Sequence, residues 1–313
     1  MRSPMGCWPT SAPDNWPMAE EGNLGTVAWR EVLAETTARI DEAGLPTVEA
    51  RWIVEEAGGL DPTDEGSGLD DLVTERGMFR HDDLLRRRLA GEPLQYVFGH
   101  WSFRTLDLMV DQRVLIPRPE TEAVVGHALD EFDRVATGRS DGVRVADLGT
   151  GSGAIGLSIA VERAVARVVC TDRSPDALAV ARANLAGLGR PARRVTLEEG
   201  SWFDALPGEL RGRLDLLVSN PPYVGAGELL PPEVVDWEPH AALVPGTEGT
   251  EDLDLLVDGA PAWLVPGGAL VLELDPRQVD RLAQRAVAVG LVDVEARPDL
   301  GGRDRALVAR MPG

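Results

Sequence analysis

Val143-Arg144-Val145-Ala146-Asp147-Leu148-Gly149-Thr150-Gly151-Ser152-Gly153-Ala154-Ile155-Gly156 decides the fold. Its first six residues read as a strand, the glycines allow a tight turn, and the apolar run through Leu157, Ile159 and Ala160 reads as a helix. Glycine lacks a Cβ, so a ligand can approach bare backbone just before the helix starts. Outward from this stretch the chain keeps a βαβ rhythm. Strands near 143–147, 166–171, 195–198, 214–219 and 268–274 alternate with helices, which predicts an α/β domain with a mostly parallel sheet.

A Gly-x-Gly pair alone is a weak signal, because dinucleotide-binding folds open in the same way. Here the third position of Gly-x-Gly-x-x-Gly is Ala154, and Asp147 stands two residues before Gly149. An acidic residue in this loop suits the positively charged amino-acid end of a sulfonium cofactor, which carries no phosphate; its plainer role is a solvated turn acid. The strand Ala166-Arg167-Val168-Val169-Cys170-Thr171 ends at Asp172. A carboxylate there can accept both ribose hydroxyls of a nucleoside, against a plainer role as a helix cap. Trp202, in Gly200-Ser201-Trp202-Phe203, is placed to pack on adenine or else to fill the core.

Leu214-Asp215-Leu216-Leu217-Val218-Ser219 reads as a strand covered on both faces, and it runs into Asn220-Pro221-Pro222-Tyr223. Two prolines fix φ and remove two backbone donors, so the Asn220 side chain and the Pro221 carbonyl can present acceptors with little play. A planar –NH2 group fits such a turn, with Tyr223 packed on its flat face. Holding both N–H bonds localises the nitrogen lone pair by positioning, which is what methylation of an amide or exocyclic amine requires. The plain alternative is a proline-stiffened loop.

Asp147, the glycine loop, Asp172 and Asn220-Pro221-Pro222-Tyr223 occur in the order of S-adenosylmethionine-dependent amino methyltransferases. From about residue 26 onward the chain resembles the HemK-like family, the peptide chain release factor glutamine N5-methyltransferases. The resemblance rests also on Gly91-Glu92-Pro93-Leu94-Gln95-Tyr96, Gly99 with Phe103, and Leu115-Ile116-Pro117-Arg118-Pro119-Glu120-Thr121-Glu122. It extends through Glu238-Pro239 and Asp299-Leu300-Gly301-Gly302-Arg303-Asp304-Arg305. It implies a class I methyltransferase fold, Rossmann-like with a seven-stranded mostly parallel sheet, whose final strands near 292–296 and 305–310 form an antiparallel edge. It implies that Gly149, Thr150, Gly151, Ser152, Gly153, Asp172, Trp202 and Asn220 line an S-adenosylmethionine site, and that Asn220 to Tyr223 hold a substrate glutamine. The implied target is the glutamine of the Gly-Gly-Gln loop of release factors. Leu272-Glu273-Leu274-Asp275 departs from the family, which often has a basic residue and glycine after the glutamate.

Composition narrows the alternatives. The 313 residues can bury one sizeable core plus a smaller domain. A formal net charge of −21 argues against gripping a nucleic-acid backbone, hence against N6-adenine methylation. A ribosomal-protein glutamine is the closer competing substrate, because it uses the same chemistry. Cys7 and Cys170 are too few for a disulfide scaffold and point to a reducing cytoplasm. No apolar run approaches a membrane span. His81, His100, His127 and His240 are scattered, so no metal is expected. Residues 1–25 read as a disordered tail, with Met18 as an alternative start; 26–92 as a helical substrate-recognition domain; 93–115 as a hairpin linker; and 116–313 as the methyltransferase domain of a monomer. In the helical domain Trp29, Leu33, Thr37 and Ile40 share one face, Val48, Trp52 and Ile53 mark a second helix, and residues 82–89 form another. Arg86-Arg87-Arg88 reads as a solvated face or a contact for an acidic partner patch.

Overall fold

The computed structural model describes residues 27–61, 68–137 and 142–313. The expected tail, Cys7 and most of the acidic loop after Asp61 lie outside the described residues. The described residues divide into two compact units, one up to residue 89 and the other from residue 90 onward.

The first unit contains α1 (Trp29–Glu42), α2 (Val48–Gly58) and α3 (Glu75–Leu89). The inward face of α1 is Trp29, Val32, Thr36 and Ile40, one step around from the expected Leu33 and Thr37. Thr36 takes an inward position because its hydroxyl is satisfied there, by the Val32 carbonyl at 2.7 Å and His81 Nε2 at 2.7 Å. On α2, Val48 and Trp52 face out, and Ala50, Ile53, Val54 and Ala57 face in. The helix is turned this way while Glu49 forms a buried two-bond pair with Arg88, Oε2 to Nε at 2.6 Å and Oε1 to Nη2 at 3.1 Å. Such a fork satisfies two charges that would each be costly to bury alone. Arg88 is therefore neither a solvated residue nor a partner contact. Helix α3 begins earlier than expected because Thr74 caps it, its hydroxyl accepting the Gly77 N–H at 3.0 Å.

The second unit opens with the short helix α4 (Leu94–Phe98), closed by Gly99 at φ 80°. Val97 and Phe98 are thus helical, and the hairpin is confined to β1 (His100–Phe103) and β2 (Leu106–Met109). There follow α5 (Pro119–Ala136), β3 (Val143–Leu148), α6 (Ala154–Glu162), β4 (Ala166–Asp172), α7 (Pro175–Gly187), β5 (Val195–Glu199) and β6 (Leu214–Ser219). The chain ends with α8 (Pro232–Trp237), α9 (Glu251–Gly259), β7 (Leu264–Glu273), α10 (Val279–Ala288), β8 (Val292–Pro298) and β9 (Asp304–Arg310). The seven-stranded sheet has the order β5-β4-β3-β6-β7-β9-β8. Its first five strands are parallel, and β9 and β8 add the antiparallel edge. This is the class I methyltransferase architecture. Strand β7 starts four residues before the expected 268 because a register shift absorbs Pro266, Gly267 and Gly268.

Strand alternation distributes the core to both faces. Val143 and Val145 of β3 join the cluster that includes Val124 and Phe132 of α5 and Leu157 of α6. Ala146 and Leu148 point the other way, to Leu253 and Leu256 of α9 and Leu282 of α10. The chain enters the sheet at β3, winds outward to β5, and returns to β6 on the other side of β3. The carboxyl ends of β3 and β6 therefore flank a topological switch point, where open α/β sheets bind ligands.

Candidate active site

The glycine loop after β3 is pinned from beneath and from the side. Asp147 is fully buried, and its Oδ2 accepts from Thr150 Oγ1 at 2.6 Å and from the Gly156 N–H at 2.9 Å. A side chain on Gly156 would collide with Cys170 Sγ and Asp147 Oδ2, so this glycine is required for α6 to sit on the sheet. Burial pushes the Asp147 carboxyl up to about 6, with the Thr150 and Gly156 hydrogen bonds opposing it. Its Oδ1 is buried without a hydrogen-bond partner among the described residues. Asp147 thus supports the loop from below and is not among the residues that line the cavity above it.

Four of the loop's N–H groups are engaged within the protein. Gly149 and Thr150 both donate to the Thr171 carbonyl, Gly153 donates to Thr150, and Gly151 donates to Asp172 Oδ2 at 2.9 Å. Asp172, at the end of β4, accepts one N–H on each oxygen, from Gly151 and from Ser174 at 2.9 Å. Each carboxylate oxygen can accept again, which leaves room for two ribose hydroxyls. Burial raises the Asp172 carboxyl, and the Ser174 and Gly151 N–H groups pull it back.

Trp202 stands beside this loop with φ 47°, its Nε1 donating to Asp252 Oδ1 at 3.0 Å. Its ring lies 3.0 Å from where a Cβ on Gly149 would be, so the glycine makes room for the indole. Asn184 of α7 secures the loop from the other side, donating to the Ser152 carbonyl at 2.8 Å and exchanging two bonds with Met109.

A cleft partly open to solvent lies over these groups. Gly149, Thr150, Gly151, Ser152, Asp172, Trp202, Asn220 and Pro222 line it, as do Thr121 and residues 113–117. Gly153, Pro221 and Tyr223 lie outside its lining. Residues 113–117 form a strap held by three of the sequence motifs. Tyr96 donates to the Val114 carbonyl at 2.6 Å, Glu238 Oε2 accepts the Ile116 N–H at 3.2 Å, and Arg118 pairs with the other Glu238 oxygen.

The turn after β6 is tied to the sheet by Ser219, whose hydroxyl donates to the Leu148 carbonyl at 2.5 Å. Asn220 Nδ2 donates to Thr121 Oγ1 at 3.2 Å, and Thr121 Oγ1 donates to Glu273 Oε2 at 2.7 Å. The Tyr223 hydroxyl donates to Glu273 Oε1 at 3.1 Å, and the Tyr223 carbonyl accepts from Gln278 at 3.0 Å. Glu273 is buried at the end of β7, and burial pushes its carboxyl up to about 7 against the Thr121 and Tyr223 hydrogen bonds. Thr121, Asn184, Glu238 and Glu273 were not singled out as site residues in the sequence. Thr121 and Glu238 stood inside recognised motifs without a role, Glu273 within the departure from the family pattern, and Asn184 carried no signal. Among the described residues no cluster of His, Cys, Asp or Glu is arranged to hold a metal, and no helix is long and apolar enough to cross a membrane.

Two sequence profiles match the chain: a methyltransferase small domain over residues 134–231 and a PrmC N-terminal domain over residues 31–99. A release factor glutamine methyltransferase of Cereibacter sphaeroides is 41% identical over 88% of this chain and 94% of its own length. One from Deinococcus radiodurans is 40% identical over 91% of this chain and 99% of its own. Among solved structures, the catalytic domain of hMettl16, in complex with the MAT2A 3′UTR hairpin 6, superposes with a TM-score of 0.51 at 13% identity. That likeness covers 74% of this chain and 82% of the other and concerns the fold alone.

Proposed function

The chain belongs to the release factor glutamine methyltransferase family, and from that premise we propose how its residues divide the work. The reaction moves a methyl group from S-adenosylmethionine to the side-chain amide N5 of a release-factor glutamine. We assign the ribose hydroxyls to Asp172, the adenine to Trp202, and the rest of the cofactor to the loop from Gly149 to Gly153. The sulfonium supplies a methyl group already activated for transfer, so this reading needs no metal ion.

Asn220 Oδ1 and the Pro221 carbonyl accept the two N–H bonds of the substrate amide. An amide nitrogen is a poor nucleophile because its lone pair is conjugated. Fixing both N–H bonds orients that lone pair toward the methyl group and removes the reorganisation that water would demand. Neither acceptor is a base, so their contribution is positional, and the proton leaves to solvent once nitrogen has gained carbon. Tyr223, anchored through its hydroxyl to Glu273, stiffens the turn.

One observation carries the reading: Asp172, Trp202 and Asn220 open on a single cleft at the switch point of the sheet. The helical first unit selects the protein partner, the glutamine is that of the Gly-Gly-Gln loop, and the acidic monomer works in the cytoplasm without binding nucleic acid. Incubating the full chain with methyl-labelled cofactor and purified release factors, ribosomal proteins or DNA tests this directly. Label on the release-factor glutamine is expected. Label only on ribosomal protein or DNA refutes the substrate assignment.

A further inference from the structure

We infer that Thr121 and Glu273 are positioning residues for this reaction, which fix the amide of Asn220 so that Oδ1 is the group it offers to the substrate. The argument is one of hydrogen-bond polarity, and it rests on the reading that Asn220 holds the glutamine amide. Both oxygens of Glu273 accept in this geometry, Oε2 from the Thr121 hydroxyl at 2.7 Å and Oε1 from Tyr223, so in its ionised form the carboxylate draws the single Thr121 hydroxyl hydrogen to itself. Thr121 Oγ1 then has only lone pairs left to present, and the Asn220 side chain must turn Nδ2 toward it, at 3.2 Å. In a planar amide the oxygen lies on the opposite side, so Oδ1 faces the ligand. Were the amide reversed, Oδ1 would meet the Thr121 lone pairs and an –NH2 would meet the substrate –NH2, donor against donor.

Glu273 also grips the other end of the same turn, its Oε1 accepting the Tyr223 hydroxyl at 3.1 Å. One buried carboxylate from β7 therefore holds Tyr223 directly and Asn220 through Thr121. Thr121 comes from the first turn of α5 and itself lines the cleft. Three separate elements thus meet to fix the direction of one amide.

The test is methyl transfer by the full chain to a Gly-Gly-Gln peptide, with kcat and KM measured beside S-adenosylhomocysteine affinity. Thr121→Val keeps the shape and removes the acceptor. It is expected to lower kcat roughly tenfold while cofactor affinity and unfolding temperature stay near wild type. Thr121→Ser restores the hydroxyl and should return kcat to within about twofold of wild type. In an Asn220→Ala background Thr121→Val should cost less than about twofold, because a residue acting through Asn220 has nothing left to orient. Glu273→Gln, which cannot accept from both hydroxyls on two oxygens, serves as the second probe and should also lower kcat roughly tenfold. Wild-type kcat in Thr121→Val or in Glu273→Gln, no rescue by serine, or an equal loss in the Asn220→Ala background overturns the relay. Asn220→Ala with wild-type turnover instead removes the underlying role of Asn220, and an inactive Asn220→Ala beside a fully active Thr121→Val removes the relay alone.

Discussion

Asp147 and Glu273 are both buried carboxylates at the carboxyl edge of the sheet, yet they support the two sides of the cleft by different means. Asp147 holds backbone: it accepts the Gly156 N–H and a hydroxyl three residues away, and the glycine loop hangs from it. Glu273 holds side chains from distant parts of the chain, Thr121 from α5 and Tyr223 from the turn after β6. The support of the glycine loop by Asp147 is thus local, whereas the support of the amide turn by Glu273 joins side chains distant in the chain. A single –NH2 whose two hydrogens must be aimed needs acceptors with a defined direction.

The largest expected effect breaks the amide side. Asn220→Ala should lower kcat on the order of 100-fold, by analogy with losing one preorganised group at other sites. Near-normal turnover, measured with labelled cofactor, would remove Asn220 from the reaction. On the cofactor side, Asp172→Ala loses charge-assisted hydrogen bonds, each of which contributes roughly 1.5–3 kcal/mol. Calorimetry should show S-adenosylhomocysteine binding weakened about tenfold or more; an unchanged dissociation constant excludes Asp172 from the ribose.

A smaller effect separates partner choice from both sides. Phe79 on α3 is 78% exposed, and a large apolar side chain left in solvent is suited to a protein surface. Phe79→Ala should lower kcat/KM on a folded release factor about fivefold and leave a short Gly-Gly-Gln peptide unaffected. Equal losses on both substrates would contradict a recognition role for the first unit.

The last prediction concerns stability and pH. Asp147 is raised from 3.8 to about 6 and Glu273 from 4.5 to about 7, in each case chiefly by burial. Asp147 faces Thr150, the Gly156 N–H and Asp172; Glu273 faces Thr121, Tyr223, Arg305 and Glu120. An acid with a higher pKa folded than unfolded holds its proton preferentially in the folded state. Its stabilising contribution is complete below the unfolded value and is lost as pH rises through the folded one. Denaturant unfolding should therefore show these groups costing stability between about pH 4 and 7, and Glu273→Gln should lose less across that span than wild type. A parallel loss in both proteins would show that Glu273 does not titrate there.

The contrast between the two sides also explains what the sequence disclosed. The β3 strand, its glycine loop, Asp172 and the turn at Asn220 are each contiguous, so period, glycine placement and proline stiffness announce them. The class I sheet, with its antiparallel edge, follows from that rhythm and from the family resemblance. Thr121 and Glu273 lie 152 residues apart and meet only through the sheet order, so no local pattern reveals their bond. Asp147 was legible as a loop acid but not as a buried one, since burial depends on Gly156 admitting α6 against Cys170. In the helical unit a buried Thr36–His81 contact and a buried Glu49–Arg88 pair put polar residues inward, where apolar periodicity alone points elsewhere.

Methyl transfer to a Gly-Gly-Gln peptide, followed against rising S-adenosylmethionine concentration, tests the division of the cleft most directly. Asp172→Ala should need more cofactor but approach the wild-type maximum rate, because its defect is in binding. Asn220→Ala should saturate at ordinary cofactor concentration and remain on the order of 100-fold slow, because no amount of cofactor orients the amide. Recovery of Asn220→Ala with excess cofactor, or an equally low plateau for Asp172→Ala, would contradict the assignment of these two residues to separate sides.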